Sequence, residues 1–331
     1  MKSFVRTPIA WLLAGILALM VVNLLSDPAF IRITVQDGHL YGVLIDVFTQ
    51  GSRTMLLALG MTLVIATGGV DLSVGSVVAI AGAVCALLLN DGAALGTTVL
   101  AAAAVGALAG SVNGILVARL HMQPIVATLI LMVAGRGIAQ LICGGQVITI
   151  SNPVFEYLAN GFALGLPVAP LIVGALFIAT HLIVRRTAIG LFIEAVGDNE
   201  TASRFAGLPA ARIKGLVYVA CGVAAGLTGV LTAANIRAAD ANRAGENAEL
   251  DAIFAVVVGG TALTGGRFSL LGSWLGALLI QLLATTMYYR GVAPAIAPVP
   301  KALLIIAVSL LQSEKLRAWI GRGWRRKTEA A

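Results

Sequence analysis

Charged side chains make up only 11% of these 331 residues, so a cluster of them is a candidate for interaction chemistry. The densest cluster lies near mid-chain, in RRTAIGLFIEAVGDNETASRFAGLPAARIK at 185–214. Arg185, Arg186, Arg204, Arg212 and Lys214 stand there among Glu194, Asp198 and Glu200. Asp198 or Asn199 can cap a short helix, and Glu200 then falls in its first turn, where the helix dipole favours negative charge. Gly207 suits the position just past the helix end, and Pro209 the start of the next helix. A capped, charged helix of this kind can dock a protein partner. A solvated loop made basic by topology has the same composition, and the segment alone does not separate the two.

Few other residues offer chemistry. Asp71 lies in GGVDLSVGS at 68–76, beside an apolar run. An acid near membrane depth is a functional hypothesis by default. The simpler use, which we favour, is that Asp71 or Ser73 caps the helix that follows. Asn113, Thr128, Arg136, Gln140, Asn235 and Gln281 interrupt apolar segments. Arg136 and Gln140, four apart, share a helix face. These six can line a path that hydrogen-bonds a hydroxyl-rich solute, or they can bridge one helix to another. Arg136 stands out, because a guanidinium in lipid needs a partner, a cavity or an interface.

Enzyme signatures are absent. The dipeptide Gly-Lys does not occur, so the chain has no P-loop, and neither G-x-S-x-G nor H-E-x-x-H is present. His39, His121 and His181 are scattered, and Cys85, Cys143 and Cys221 are unclustered, which indicates no metal site and no disulfide framework. We expect no catalytic residue, no metal and no cofactor on this chain.

The elements that position these residues are membrane helices. Hydrophobic residues make up 59% of the chain and charged residues only 11%, against roughly one-quarter charged in soluble domains. The apolar runs are long enough to cross a ~30 Å core as helices and lack the ten-residue alternation of a barrel. The fold class expected is an all-α polytopic membrane protein, 1–331 as one domain, with about ten spans. They fall near 8–26, 52–69, 72–90, 93–119, 124–143, 164–184, 214–235, 251–265, 269–289 and 298–313. The first is read as a span and not a signal peptide, because its apolar stretch is long and no clear cleavage site follows.

With both termini inside, the inner side receives Lys2, Arg6, Arg119, the five bases of 185–214, Arg267 and the six bases of the 314–331 tail, fifteen of 22 in all. Outer loops keep only Arg32, Arg237, Arg243 and Arg290. The positive-inside rule is thereby met, the 185–213 loop is cytoplasmic, and the net charge of +7 needs no nucleic acid. Two glycine-rich breaks end span pairs on that side: Gly68, Gly69, Asp71, Ser73 and Gly75 in the first, and Gly259, Gly260, Gly265 and Gly266 in GGTALTGGRFSLLGS at 259–273. They are expected to be broken or re-entrant segments, and the same feature in two repeated halves.

Four segments carry a family resemblance: GGVDLSVGSVVAIAGA at 68–83, PIVATLILMVAGRGIAQL at 124–141, EAVGDNETASRFAGLPAARIK at 194–214 and ELDAIFAVVVGGTALTGG at 249–266. In this order they closely resemble the permease subunits of ribose-type sugar ABC importers, over nearly the whole chain. VQDGHLYGVLIDVF at 35–48 and IRAADANRAG at 236–245 look most like the galactofuranose branch, in which two different permease chains pair.

The resemblance implies a bacterial inner-membrane permease that works with a cytoplasmic ATPase holding ATP and Mg. A second permease chain, paralogous or identical, and a periplasmic sugar-binding protein complete the expected partners. It also implies that Glu194, Gly197, Asn199, Ala202, Arg204 and Gly207 contact the ATPase. Asp198 and Glu200 belong to the same helix, and Phe205 offers an apolar knob. Arg267 and Phe268, in GGRFSLLGS, match no common family role. Two rivals have their own requirements: a secondary transporter needs an ion site, for which Asp71 is the one suitably placed acid, and an intramembrane enzyme needs clustered acids or histidines. The division of labour is directly testable. Purified alone, this chain should hydrolyse no ATP in a phosphate-release assay, and activity that tracks with it would refute the reading.

Overall fold

The computed structural model describes residues 8–293, 296, 298–303 and 306. Lys2, Arg6, the 314–331 tail and most of the expected 298–313 span lie outside these residues. The described chain is helical: α1 (Pro8–Ser26), α2 (Val43–Ala66), α3 (Val74–Asn90), α4 (Leu95–Ala118), α5 (Pro124–Ile142), α6 (Pro153–Asn160), α7 (Val168–Arg186), α8 (Ala188–Asp198), α9 (Glu200–Phe205), α10 (Ala210–Ile236), α11 (Ala248–Val258) and α12 (Leu270–Tyr289). Three small antiparallel pairs are added: β1 (Thr34–Gln36) with β2 (His39–Tyr41), β3 (Ile148–Thr149) with β6 (Ala238–Ala239), and β4 (Phe162–Ala163) with β5 (Leu166–Pro167).

Six helices among the described residues are long and apolar enough to cross a membrane: α1, α4, α5, α7, α10 and α12. The other expected spans need correction. Helix α2 starts at Val43, not 52, so the 27–51 loop is shorter than expected, and Asp46, Gln50 and Arg53 lie on the helix. Helix α3 has 17 residues. The expected 251–265 span is only the 11-residue α11, about 16 Å at 1.5 Å per residue. Its apolar run continues, but Gly259 and Gly260 end the helix. The polar 144–165 loop contains α6, which Asn152 caps by accepting from Val154 and Phe155.

Helix α10 is the post of the fold, packed against α2, α3 and α4. Its surface is cut down to backbone where neighbours cross. A methyl on Gly106 would overlap the Gly222 carbonyl, and one on Gly222 the Gly106 carbonyl. Gly110 meets Tyr218 and Gly226 meets Ala102 in the same way, so glycines four apart on α4 form one seam. Close backbone approach supplies the packing that lipid cannot drive by hydrophobicity. Gly60 of α2 faces the Cα of Cys221, and Gly229 faces α3 at Val78.

The loops gather at two ends. At one end, Gly266 donates its amide to the Ala66 carbonyl (2.9 Å), and Arg204 reaches His121 (3.1 Å). Thus both glycine breaks, the α4–α5 loop and the α8–α9 segment lie together. At the other, Leu40 donates to Gly165 (2.9 Å), β3 pairs with β6, Arg237 pairs with Glu156 (2.5 Å), and Tyr289 donates to Asp27 (2.5 Å). That tyrosine bond, helped by the Ala29 amide, holds the Asp27 carboxyl below its usual value. One stretch belongs to neither end. After β6 the chain turns back inward, so that Gly245 abuts Gly75, the second residue of α3. Replacing Gly222 with valine should lower stability by about 1–3 kcal/mol through overpacking of the α4–α10 seam, read as a drop in detergent unfolding temperature.

Candidate functional site

The 185–214 cluster folds as an elbow of two helices: the short helix expected to be capped at 198 or 199 is present as α9, while Glu194, Gly197 and Asp198 lie on α8 before it. Thr187 caps α8 by accepting from Ile189 (3.3 Å). At Asn199 the backbone becomes extended (φ −154°, ψ 100°), which ends α8, and the Asn199 side chain accepts from Ala202 (2.9 Å) to start α9. Asp198 is therefore the last residue of α8, and Asn199 is the cap. Ser203 donates back to the Ala195 carbonyl (2.9 Å), which fixes the bend. Gly207 takes the left-handed conformation past the helix end (φ +85°), a position that glycine adopts without strain.

Charge braces the elbow. Glu200 pairs with Arg204 on its own helix and with Lys214 of α10. Burial opposes the negative charge of Glu200, but Lys214 and Arg204 together outweigh it and hold the carboxyl below its ordinary 4.5. Because the folded value is depressed, the brace contributes fully above pH 4.5 and is lost only as pH falls through the lower folded value. On the outer surface Ala202 and Arg204 are exposed, Glu194 is half-buried, and Phe205 is 90% exposed.

Gly197 joins the elbow to both breaks. A methyl there would overlap the Ala66 carbonyl and lie 2.5 Å from the Gly266 amide nitrogen. Gly265 (φ +89°) is also close, its absent side chain 2.8 Å from both the Gly197 oxygen and the Gly68 nitrogen. Three backbones therefore touch at one point: the end of α2, the α11–α12 break and the end of α8. Gly259 and Gly272 close the second break by backbone contact between α11 and α12.

The first break is held by polar groups. Asp71 is 1% exposed and accepts from the Ser73 amide (2.9 Å), the Ser73 hydroxyl (2.6 Å) and Asn113 (3.2 Å). Asn113 also donates to Ser73 (2.9 Å). Ser73 makes no side-chain cap bond, so the work at the start of α3 falls to Asp71. Gly69 packs under the Tyr218 hydroxyl, which donates to the Val70 carbonyl (3.4 Å). Thr128 bonds Pro124 of its own helix (2.9 Å) and Val70 (3.4 Å).

The six polar residues proposed as one path are not brought together. Asn113 and Thr128 serve the first break. Arg136 donates to the carbonyls of Ala241 (3.0 Å) and Ala244 (2.6 Å), and Gln140 donates to Asn242 (2.8 Å). Both pin the inward-turning stretch, whose unwound carbonyls need donors at this depth. Asn235 bonds Asn160 of α6 (3.0 Å). Gln281 alone reaches a polar cavity of about 390 Å³, within the range of small-ligand sites.

That cavity lies between α2, α3, α10, α12 and the 240–251 stretch, lined by Gln50, Arg53, Thr228, Thr232, Asp240 and Asp251 among others. Lys301 grips both carboxylate oxygens of Asp251 (2.9 and 2.8 Å), and Arg53 bonds Gln50. Arg53, Asp240 and Asp251 escaped sequence reading because they fell near expected span boundaries. The available signal was Arg53 itself, a guanidinium at the edge of an apolar helix. Among the described residues no cluster of His, Cys, Asp and Glu could hold a metal, and the three cysteines are buried and free.

A glycine-jointed elbow, paired breaks and a polar membrane cavity agree with what comparison finds. Residues 43–309 match the family described as branched-chain amino acid transport system / permease component. This chain belongs to that permease family. It is 48% identical over 303 residues to the galactofuranose transporter permease protein YtfT of Escherichia coli K12, covering 92% of this chain and 89% of the relative. It is 38% identical over 321 residues to the fructose import permease protein FruF of Bifidobacterium longum (95% and 90%). To the ribose import permease protein RbsC of Escherichia coli K12 it is 35% identical over 315 residues (92% and 95%). No solved structure gives a significant match.

The permease's elbow yields a sharp test at Gly197. Alanine there should push α8 off both breaks and lower ATP-driven uptake at least tenfold while the protein still inserts in the membrane. Wild-type uptake by Gly197→Ala would show that the three-backbone contact carries no motion.

Proposed function

We propose that this chain is the membrane permease of an ATP-driven ABC sugar importer, passing galactofuranose or a similar furanose or pentose delivered by a periplasmic binding protein. The observation that carries the substrate class is the 48% identity, over 92% of the chain, to a galactofuranose permease, with fructose and ribose permeases next. The chain itself is not an enzyme; ATP and Mg belong to a cytoplasmic ATPase.

In this reading the ATPase docks on the elbow, with Phe205 as the apolar knob and Glu194, Asp198, Asn199, Glu200, Ala202 and Arg204 around it. Force on α8 passes through Gly197 to the ends of α2 and the α11–α12 break at once. Those segments carry walls of the polar cavity, so their shift changes its access. Within the cavity, Arg53, Asp240, Asp251 and Gln281 offer donors and acceptors to sugar hydroxyls, and this set replaces Asn113, Thr128, Arg136, Gln140 and Asn235 as the pathway.

Asp71, the acid an ion-coupled transporter would use, is already bonded within the chain. The opposite end, with β1–β2, β4–β5 and α6, receives the binding protein. We place the elbow end and both termini in the cytoplasm, with two related halves and ten crossings, one of them made by the short α11 together with the glycine break that follows it. The clustering of basic loops with the elbow and the helix–glycine–helix form of both breaks support this. A second permease chain, identical or paralogous, completes the pathway.

The test is reconstitution with the ATPase, a second permease and the binding protein, measuring uptake of galactofuranose against ribose and fructose. Arg53→Met should cut uptake at least tenfold while leaving ATPase assembly intact. Unchanged uptake would remove the cavity from the pathway, and uptake without ATP would overturn the importer reading.

A further inference from the structure

A second cavity among the described residues plays no part in that pathway. It is an apolar groove of about 650 Å³ between α2, α7, α8 and α10, walled by Leu59, Leu63, Ile183, Ile189, Phe192 and Leu216 among others. Ile183, Ile189, Phe192 and Leu216 are each more than a third exposed, so the groove opens sideways and is not sealed within the bundle. In a bilayer, apolar space of this kind faces hydrocarbon.

Charge marks the groove's end. Arg212 lines it and also lines a neighbouring niche of about 430 Å³ with Arg119. Val184 is shared with a second niche, of about 380 Å³, that Arg185 and Arg186 line with Glu194. All four arginines are exposed, and none makes a side-chain hydrogen bond or ion pair with another described residue. Other bases of this end, Arg204 and Lys214, are paired with Glu200. An apolar slot whose mouth carries unpaired guanidinium groups is complementary to one molecule of stated chemistry: an amphiphile with a hydrocarbon chain and an anionic phosphate. Basic pockets between membrane helices on the cytoplasmic side bind such headgroups.

We infer that an anionic phospholipid of the cytoplasmic leaflet seats an acyl chain in this groove, with its phosphate held by Arg212 and by Arg185 or Arg186. The apolar walls exclude free phosphate as the occupant. Since Ile189, Phe192 and Ile193 of α8 form one wall, the lipid braces the coupling elbow against α2, α7 and α10. Loss of the lipid loosens the element that carries force to the breaks. The inference does not depend on which sugar is carried.

The experiment is native mass spectrometry of the assembled complex, purified in mild detergent and titrated with phosphatidylglycerol or phosphatidylcholine. Wild type should retain phosphatidylglycerol at least tenfold more tightly than phosphatidylcholine. The Arg185→Gln, Arg186→Gln, Arg212→Gln triple variant should lose that preference, and the corresponding Lys variant should keep it. Ala220→Trp, which fills the groove from α10, should abolish retention with all arginines in place. Equal retention of both lipids, or undiminished retention in the Gln and Trp variants, would overturn the proposal. So would a disulfide formed from Leu216→Cys to a cysteine on the second permease chain, since that makes the occupant a protein. A change in lipid retention is read without transport, so its failure is separate from failure of the importer reading.

Discussion

Lipid gives helices no hydrophobic reason to associate, and this permease answers with backbone contact at glycine. Gly106, Gly110 and Gly226 set α4 and α10 against each other at distances a single methyl would prevent, and Gly60 and Gly229 do the same for α2 and α3. The same device recurs at the elbow. At Gly197 the end of α8 touches the carbonyl end of α2 and the α11–α12 break without any side chain between them. A joint made of backbone transmits displacement with little slack, because no rotatable side chain intervenes to absorb it. The helix seams and the elbow contact in this protein thus meet one constraint in two places.

The second constraint is that polar groups at membrane depth must be satisfied inside the protein. Most of the polar residues within apolar segments are used up in this way. Asp71, Ser73 and Asn113 hold the first break, and Arg136 with Gln140 holds the unwound 241–244 stretch. An unwound stretch beside α3 leaves a gap that helices alone would have filled, and the polar cavity occupies it.

Local signals made the coupling elbow legible. Asn199 is a capping residue followed by helix formers, and Gly207 with Pro209 punctuates the end, all within a few residues of one another. The cap at Asn199 was among the two residues expected; what the local signals did not show is that Glu194, Gly197 and Asp198 form a separate helix before it, folded back by the Ser203–Ala195 bond. Long apolar runs located α1, α4, α5, α7, α10 and α12. Helix α11 was overextended because hydropathy measures composition, while Gly259 and Gly260 act through backbone conformation. The six polar residues expected along one path are scattered for a different reason. Arg136 and its acceptors lie more than a hundred residues apart, and no local pattern tells a bridging guanidinium from one facing a solute.

What the amino-acid order determined by itself was class. Apolar length and scarce charge define a polytopic helical membrane protein, since these follow from the thermodynamics of single residues in lipid and water. Which polar side chains are spent on structure and which remain for a sugar was decided only in three dimensions. So was the meeting of Gly68, Gly197 and Gly265. Those outcomes depend on pairs distant in sequence competing for the same neighbour, and that competition is settled when the helices pack.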